Sequence, residues 1–201
     1  ELQDASRIGT TVKVNGAVHT IRDMGELSFV VLRKRSGLLQ CIFEDGFTAF
    51  DVKNVREEEA LEVTGILERD ERAPHGIEIR VKEVKVLSTP YDVPPLPVGK
   101  WKLGTSLEAK LNYRSVSLRN MRERAKFRIQ EGIVRGFRDF LYSQQFTEIH
   151  TPKIGAKGAE GGSNLFRLDY FHRPAVLEQS PQLYKQMMVG VFDRVFETGP
   201  V

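Results

Sequence analysis

Three groups of residues combine types and spacings suited to chemistry. In Ala159-Glu160-Gly161-Gly162-Ser163 a carboxylate stands beside adjacent glycines, and glycine tolerates the backbone angles that let a loop close over a small ligand. Downstream, Pro181 can open a helix at its first turn, which sets Gln182 and Lys185 three residues apart on one face. An amide, an ammonium and a mobile carboxylate suit a small zwitterion such as an amino acid: the ammonium takes its carboxylate and the loop acid takes its amine. The third group lies far upstream. Phe29, Gln40 and Glu78 offer an aromatic face for stacking, plus an amide and a carboxylate for base edges, which is what reading unpaired bases requires. Taken singly, each has a plainer assignment: a strand Phe is most often core, EGGS is a common surface turn and Lys185 an ordinary helix lysine.

The elements that must position these residues are legible as changes of period. From Val12 to Leu87 the runs VKVNGAVHTI, LSFVVLRKR, LLQCIF, ALEVTGILE and IEIRVKEVKVL are rich in β-branched residues and partly alternate, as strands do. Ser36-Gly37 marks a tight hairpin and Ala73 to Gly76 a longer turn. Five strands fit a small barrel, and DGFTAFDVKNVREEEA is placed to supply the helix that plugs an OB-fold, with SH3-like barrels also compatible. STPYDVPPLPVGKW, with four prolines, predicts a semi-rigid spacer at a domain boundary. From Ser106 to about Tyr142 the pattern turns helical, with Ile129, Ile133, Phe137 and Leu141 at four-residue intervals and Phe140 beside them. Gly132 and Gly136 each cost such a helix about 1 kcal/mol relative to alanine, which points to close approach of another backbone.

Composition indicates no special class. The net charge is +3, yet Lys100 to Asp139 holds eleven Lys/Arg against four Asp/Glu, a band that suits a polyanion or simply a solvated helix face. The single cysteine, Cys41, excludes an internal disulfide framework, and His19, His75, His150 and His172 lack metal-ligand spacing. A reducing cytoplasm fits. No apolar run approaches a membrane span, and ELQDASRIGT has no signal-peptide pattern. Nor does it begin with Met, so the chain is expected to be a piece of a longer one.

The order strand-Pro152, AEGGS, QSPQLYKQ, FDRVFETGPV resembles the first half of the catalytic domain of a class II aminoacyl-tRNA synthetase. It is most similar to the aspartyl group of archaeal and eukaryotic type, although Glu178 stands where that group has a small residue. The resemblance implies a two-domain α+β chain: an OB-fold anticodon domain over 1–88, a hinge over 89–104, and over 105–201 the first part of the class II antiparallel-sheet catalytic domain. It implies that Pro152 lies at a homodimer interface, and that Glu160, Ser163, Gln182 and Lys185 bind L-aspartate. Phe29, Gln40 and Glu78 match positions that contact the anticodon bases. ATP and Mg2+ are implied as cofactors and tRNA-Asp as partner. The arginines of the second and third signature motifs are absent before Val201, so no catalytic residue is expected within the chain, and the chain alone is expected to be inactive. His19 and Pro74 replace the Trp and Lys of enzymes restricted to tRNA-Asp, a pair resembling the relaxed kind that also charges tRNA-Asn and passes the product to an amidotransferase. Asparaginyl and lysyl enzymes, or a non-catalytic OB-fold module with a dimerisation helix, are the competing readings.

Overall fold

The computed structural model describes residues 5–156 and 164–200. The chain divides into two compact units, Glu1–Arg124 and Ala125–Val201.

In the first unit β1 (Thr11–Asp23), β2 (Leu27–Arg33), β3 (Leu38–Glu44), β4 (Ala60–Arg69) and β5 (Ile77–Ser88) close a barrel in the order β1-β2-β3-β5-β4. The β3–β5 pairing is parallel and the remaining pairings are antiparallel. Alternation drives this. Val12, Val14, Val18, Val30, Leu32, Leu39, Cys41, Leu61, Val63, Ile79 and Val81 point inward and are buried, each aliphatic contributing about 1.5 to 3 kcal/mol relative to exposure. At the irregularity between Thr64 and Gly65 the β4 and β5 backbones press together. A Cβ on Gly65 would collide with the Arg80 carbonyl, so only glycine fits there.

Two helical expectations are corrected. The segment between β3 and β4 forms one turn of 3-10 helix, Val52–Asn54, in place of a plugging α-helix. Asp51 accepts a hydrogen bond from the Lys53 amide at 2.9 Å, and such Asp and Asn side chains favour turns over helix interiors. Phe50, Val52 and Val55 still pack on the barrel core. The long helix breaks into α1 (Leu107–Asn112), α2 (Arg114–Ser117) and α3 (Met121–Ser143). Asn120 explains the last break: its Oδ1 accepts from the Arg122 and Glu123 amides at 3.1 and 3.3 Å, an N-cap for α3.

The proline-rich segment lies against the barrel, with Leu96, Val98 and Leu103 buried. Asn120 Nδ2 donates to the carbonyls of Val98 and Lys100 at 2.9 and 2.6 Å.

In the second unit β6 (Thr147–Glu148) pairs in parallel with β10 (Val195–Phe196). β7 (Ile154–Gly155), β8 (Arg167–Tyr170) and β9 (Arg173–Leu177) make an antiparallel sheet in the order β7-β9-β8. α4 (Gln182–Phe192) leads into β10. The apolar stripe on α3 is exposed, Ile129 at 63% and Ile133 at 67%, and a Cβ at Gly132 or Gly136 would meet nothing within 4 Å among the described residues. No described helix is long and apolar enough to cross a membrane.

Candidate functional site

The outer face of the barrel brings together all three residues expected to read bases. Inward and outward positions alternate along a strand, so Phe29 and Val31 on β2, Gln40 on β3 and Glu78 on β5 share the side opposite the core. Register then sets the distances. Gln40 pairs with Glu78 across the parallel ladder, Val31 with Gln40, and Phe29 with both Ile42 and Arg22. Gln40 Nε2 donates to Glu78 Oε2 at 2.8 Å. These two polar side chains are buried, at 9% and 4% exposure, while Phe29 is half-buried.

A cleft of about 190 Å³ opens on this face, lined by Arg22, Met24, Phe29, Gln40, Asp70 and Arg72. Burial is the chief cause that pushes the Glu78 carboxyl above its ordinary range; the Gln40 hydrogen bond opposes it, and the nearby Asp70 and Glu68 charges add to it. Hydrogen bonds from Arg72 hold Asp70 low, with Nη2 to Oδ2 at 2.8 Å. With Nε2 committed to Glu78, Gln40 keeps its carbonyl oxygen as an acceptor. The cleft therefore offers a ring face, an amide oxygen, the Arg22 guanidinium and the Arg72–Asp70 pair to a planar ligand. Arg22 and Arg72 were not singled out from the sequence. Arg22 becomes visible only once register places it opposite Phe29, and Arg72 only once the turn before β5 folds over that face.

His19 occupies a bulge between Val18 and Thr20 and is buried. Its Nδ1 lies 3.4 Å from Arg33 Nη1, and its pKa is lowered by burial first and by Arg33 second, with Glu58 opposing. Pro74 opens a 3-10 turn, Pro74–Gly76, immediately before β5. Neither residue is among those lining the cleft.

In the second unit Gln182 and Lys185 lie on the first turn of α4 as their spacing requires, with Pro181 as the N-cap residue instead of the first helical one. The Lys185 amide bonds the Pro181 carbonyl at 2.9 Å. Its side chain is half-buried and makes no ion pair among the described residues. Glu160 and Ser163 lie outside the described residues. Pro152 is exposed, between two residues that bind one carboxylate: Glu197 accepts from the Thr151 amide at 2.9 Å, Thr151 Oγ1 at 2.8 Å and Lys153 Nζ at 2.8 Å. Burial pushes Glu197 up, but Lys153 and Thr151 together bring it below its ordinary value. Glu148 accepts from Thr198, Tyr142 and Arg138, which hold its carboxyl at about 2. These two anchors were missed from the sequence because their partners come from separate segments.

Two family models match the chain: an OB-fold nucleic acid binding domain over residues 12–87, and tRNA synthetases class II (D, K and N) over residues 106–201. Among curated proteins, one named "Aspartate--tRNA(Asp/Asn) ligase" from Thermus thermophilus is 44% identical over 98% of this chain and 45% of its own length. Proteins of the same name from Deinococcus radiodurans and Saccharolobus solfataricus are 45% and 41% identical over 96% of this chain, and over 43% and 45% of their own. The chain thus spans less than half the length of these relatives. Among solved structures, an asparaginyl-tRNA synthetase from Pyrococcus horikoshii complexed with asparaginyl-adenylate superposes with a TM-score of 0.84 at 27% identity, covering 97% of this chain and 45% of that one. The asparaginyl-tRNA synthetase of Entamoeba histolytica gives 0.79 at 28%, covering 97% of this chain and 46% of that one.

Proposed function

We propose that the chain is part of a class II tRNA synthetase of the D, K and N group, as the match over residues 106–201 and the relatives at 41–45% identity support, and that its full-length protein attaches L-aspartate to tRNA at the expense of ATP. The observation that carries the choice of amino acid is Lys185. An ammonium without an ion pair among the described residues, on the first turn of α4, suits a substrate with a second carboxylate, which would be costly to leave unpaired in a dry pocket. It would repel the ammonium of lysine, and a neutral asparagine side chain has less need of it. The identity of 41–45% to proteins named for aspartate supports the same choice over the asparaginyl enzymes matched at 27–28%.

In this reading Lys185 pairs with the aspartate side-chain carboxylate, the Gln182 amide orients the substrate, and Glu160 and Ser163 complete its binding, with Glu160 taking the amine. The aspartate α-carboxylate then attacks the α-phosphorus of ATP, pyrophosphate leaves to give aspartyl-adenylate, and a hydroxyl at the tRNA 3′ end takes the acyl group with release of AMP and a proton. Binding in one orientation is the contribution of these residues. Mg2+ would neutralise phosphate charge in such a reaction. Among the described residues no cluster of three His, Cys, Asp or Glu could hold it.

The barrel, 1–88, reads the anticodon through Phe29, Gln40 and Glu78; 89–104 connects it to the catalytic part, 105–201. The enzyme is of the relaxed kind, charging tRNA-Asp and tRNA-Asn, as His19 and Pro74 and the names of the relatives support, and an amidotransferase acts on the second product. It works as a homodimer in the cytoplasm, with Pro152 and the exposed face of α3 at the subunit contact. ATP–pyrophosphate exchange by the full-length protein tests the substrate: exchange should depend on aspartate, and exchange driven equally by asparagine or lysine would overturn the assignment.

A further inference from the structure

Arg33, at the end of β2, and Glu58, just before β4, are joined by two bonds, Nη1 to Oε1 at 2.6 Å and Nη2 to Oε2 at 2.9 Å. Their side chains are only 10% and 4% exposed. Arg119, between α2 and α3, reaches the same carboxylate, Nη1 to Oε2 at 2.7 Å. A bidentate guanidinium plus a second one is a strong, directional arrangement for a buried acid. Although burial pushes the Glu58 carboxyl up, the two arginines bring it below its ordinary value. Glu58 also adopts a φ of +68°, uncommon for a residue other than glycine and retained only where surroundings enforce it.

The linker is held by the same neighbourhood. A Cβ on Gly99 would collide with the His19 carbonyl and the Thr20 methyl, so the linker backbone lies directly on β1. Asn120, next to Arg119, ties down the carbonyls of Val98 and Lys100 at 2.9 and 2.6 Å. Arg124 donates to the carbonyls of Lys34 and Arg35 in the β2–β3 hairpin. All these contacts fall within the unit Glu1–Arg124. Prolines stiffen a linker but do not aim it; these contacts do.

We propose that Arg33, Glu58, Arg119 and Asn120 are positioning residues that clamp the 89–104 linker to the barrel, so that the linker leaves the barrel in one direction. The functional consequence rests on the reading above: angular freedom at the linker would be magnified over the length of a tRNA and would spoil delivery of its 3′ end, while leaving recognition of the anticodon intact.

Arg119→Met and Arg119→Lys test this in two steps. Hydrogen exchange on the 201-residue chain should show amides of residues 96–101 exchanging at least tenfold faster in Arg119→Met, with β2 and β3 unchanged and Arg119→Lys in between. In the full-length protein, affinity for an isolated anticodon stem-loop and aspartate-dependent pyrophosphate exchange should stay within twofold, while kcat/KM for whole tRNA falls at least tenfold and is partly restored by Lys. Unchanged linker exchange in Arg119→Met would overturn the clamp, as would a parallel loss of stem-loop affinity. Failure of the wild type to charge any tRNA would defeat the proposed function instead, and the exchange comparison would still decide the clamp.

Discussion

At the scale of single residues, Phe29 supplies the ring face of the barrel cleft and Gln40 and Glu78 its fixed polar edge. Phe29→Ala should weaken binding of an anticodon stem-loop by about 1 to 3 kcal/mol, measured by anisotropy on folded protein; equal binding would contradict the stacking role. Gln40 has a second duty. Its hydrogen bond favours the ionised form of a carboxylate that burial already penalises. Because the folded pKa of Glu78 is raised, its contribution to stability is present at low pH and lost as pH rises through that pKa. Gln40→Ala should therefore destabilise the barrel by about 1 to 3 kcal/mol at pH 7 and by less at pH 5, as read from denaturant melts. For Lys185, replacement by Met in the full-length protein should abolish aspartate-dependent pyrophosphate exchange with the fold intact. Type and spacing alone left each of these residues a plainer assignment, and it was the resemblance that singled them out. Arg22 and Arg72 were not singled out, since what gives them a role is cross-strand register and the path of a turn.

At the scale of elements, the barrel strands were legible because burial on one face imposes a period of two. The break in the helical run was not, because at Asn120 it is made by a side chain that caps α3 and holds the linker at once, a tertiary demand that periodicity does not record. The anchoring of β6 follows the same logic. Glu148 ties β6 to Arg138 and Tyr142 on α3 and to Thr198 beyond β10. Its folded pKa of about 2 lies below its ordinary 4.5, so the stability it contributes is complete above 4.5 and is lost as pH falls toward 2. Near-ultraviolet circular dichroism should show wild type loosening in that window and Glu148→Gln lacking the transition; matching profiles would contradict the anchor. The exposed Ile129 and Ile133 on α3 predict a seam with a second copy. Ile133→Asp should convert the full-length protein to a monomer in sedimentation at micromolar concentration, and an unaltered dimer would place the seam elsewhere.

At the scale of the whole molecule, the basic band between Lys100 and Asp139 is largely occupied by the protein itself. Lys110 pairs with Glu123, Arg119 with Glu58, Arg128 with Glu131 and Arg138 with Glu148, while Arg124 binds hairpin carbonyls. Charge alone left a polyanion surface and a solvated helix face both open there, and favoured the second. The structure spends much of that charge on pairing within the protein. In the function proposed above, the barrel cleft and the helix carrying Lys185 belong to one enzyme that places aspartate on tRNA, with selection between tRNA-Asp and tRNA-Asn relaxed at the barrel. The most direct measurement is charging of purified tRNA-Asp and tRNA-Asn by the full-length protein with labelled aspartate, asparagine and lysine. The account predicts aspartate on both tRNAs, with kcat/KM favouring tRNA-Asp by less than about a hundredfold, near 2.7 kcal/mol in transition-state terms. Attachment of asparagine or lysine in its place, or a preference beyond that ratio, would contradict it.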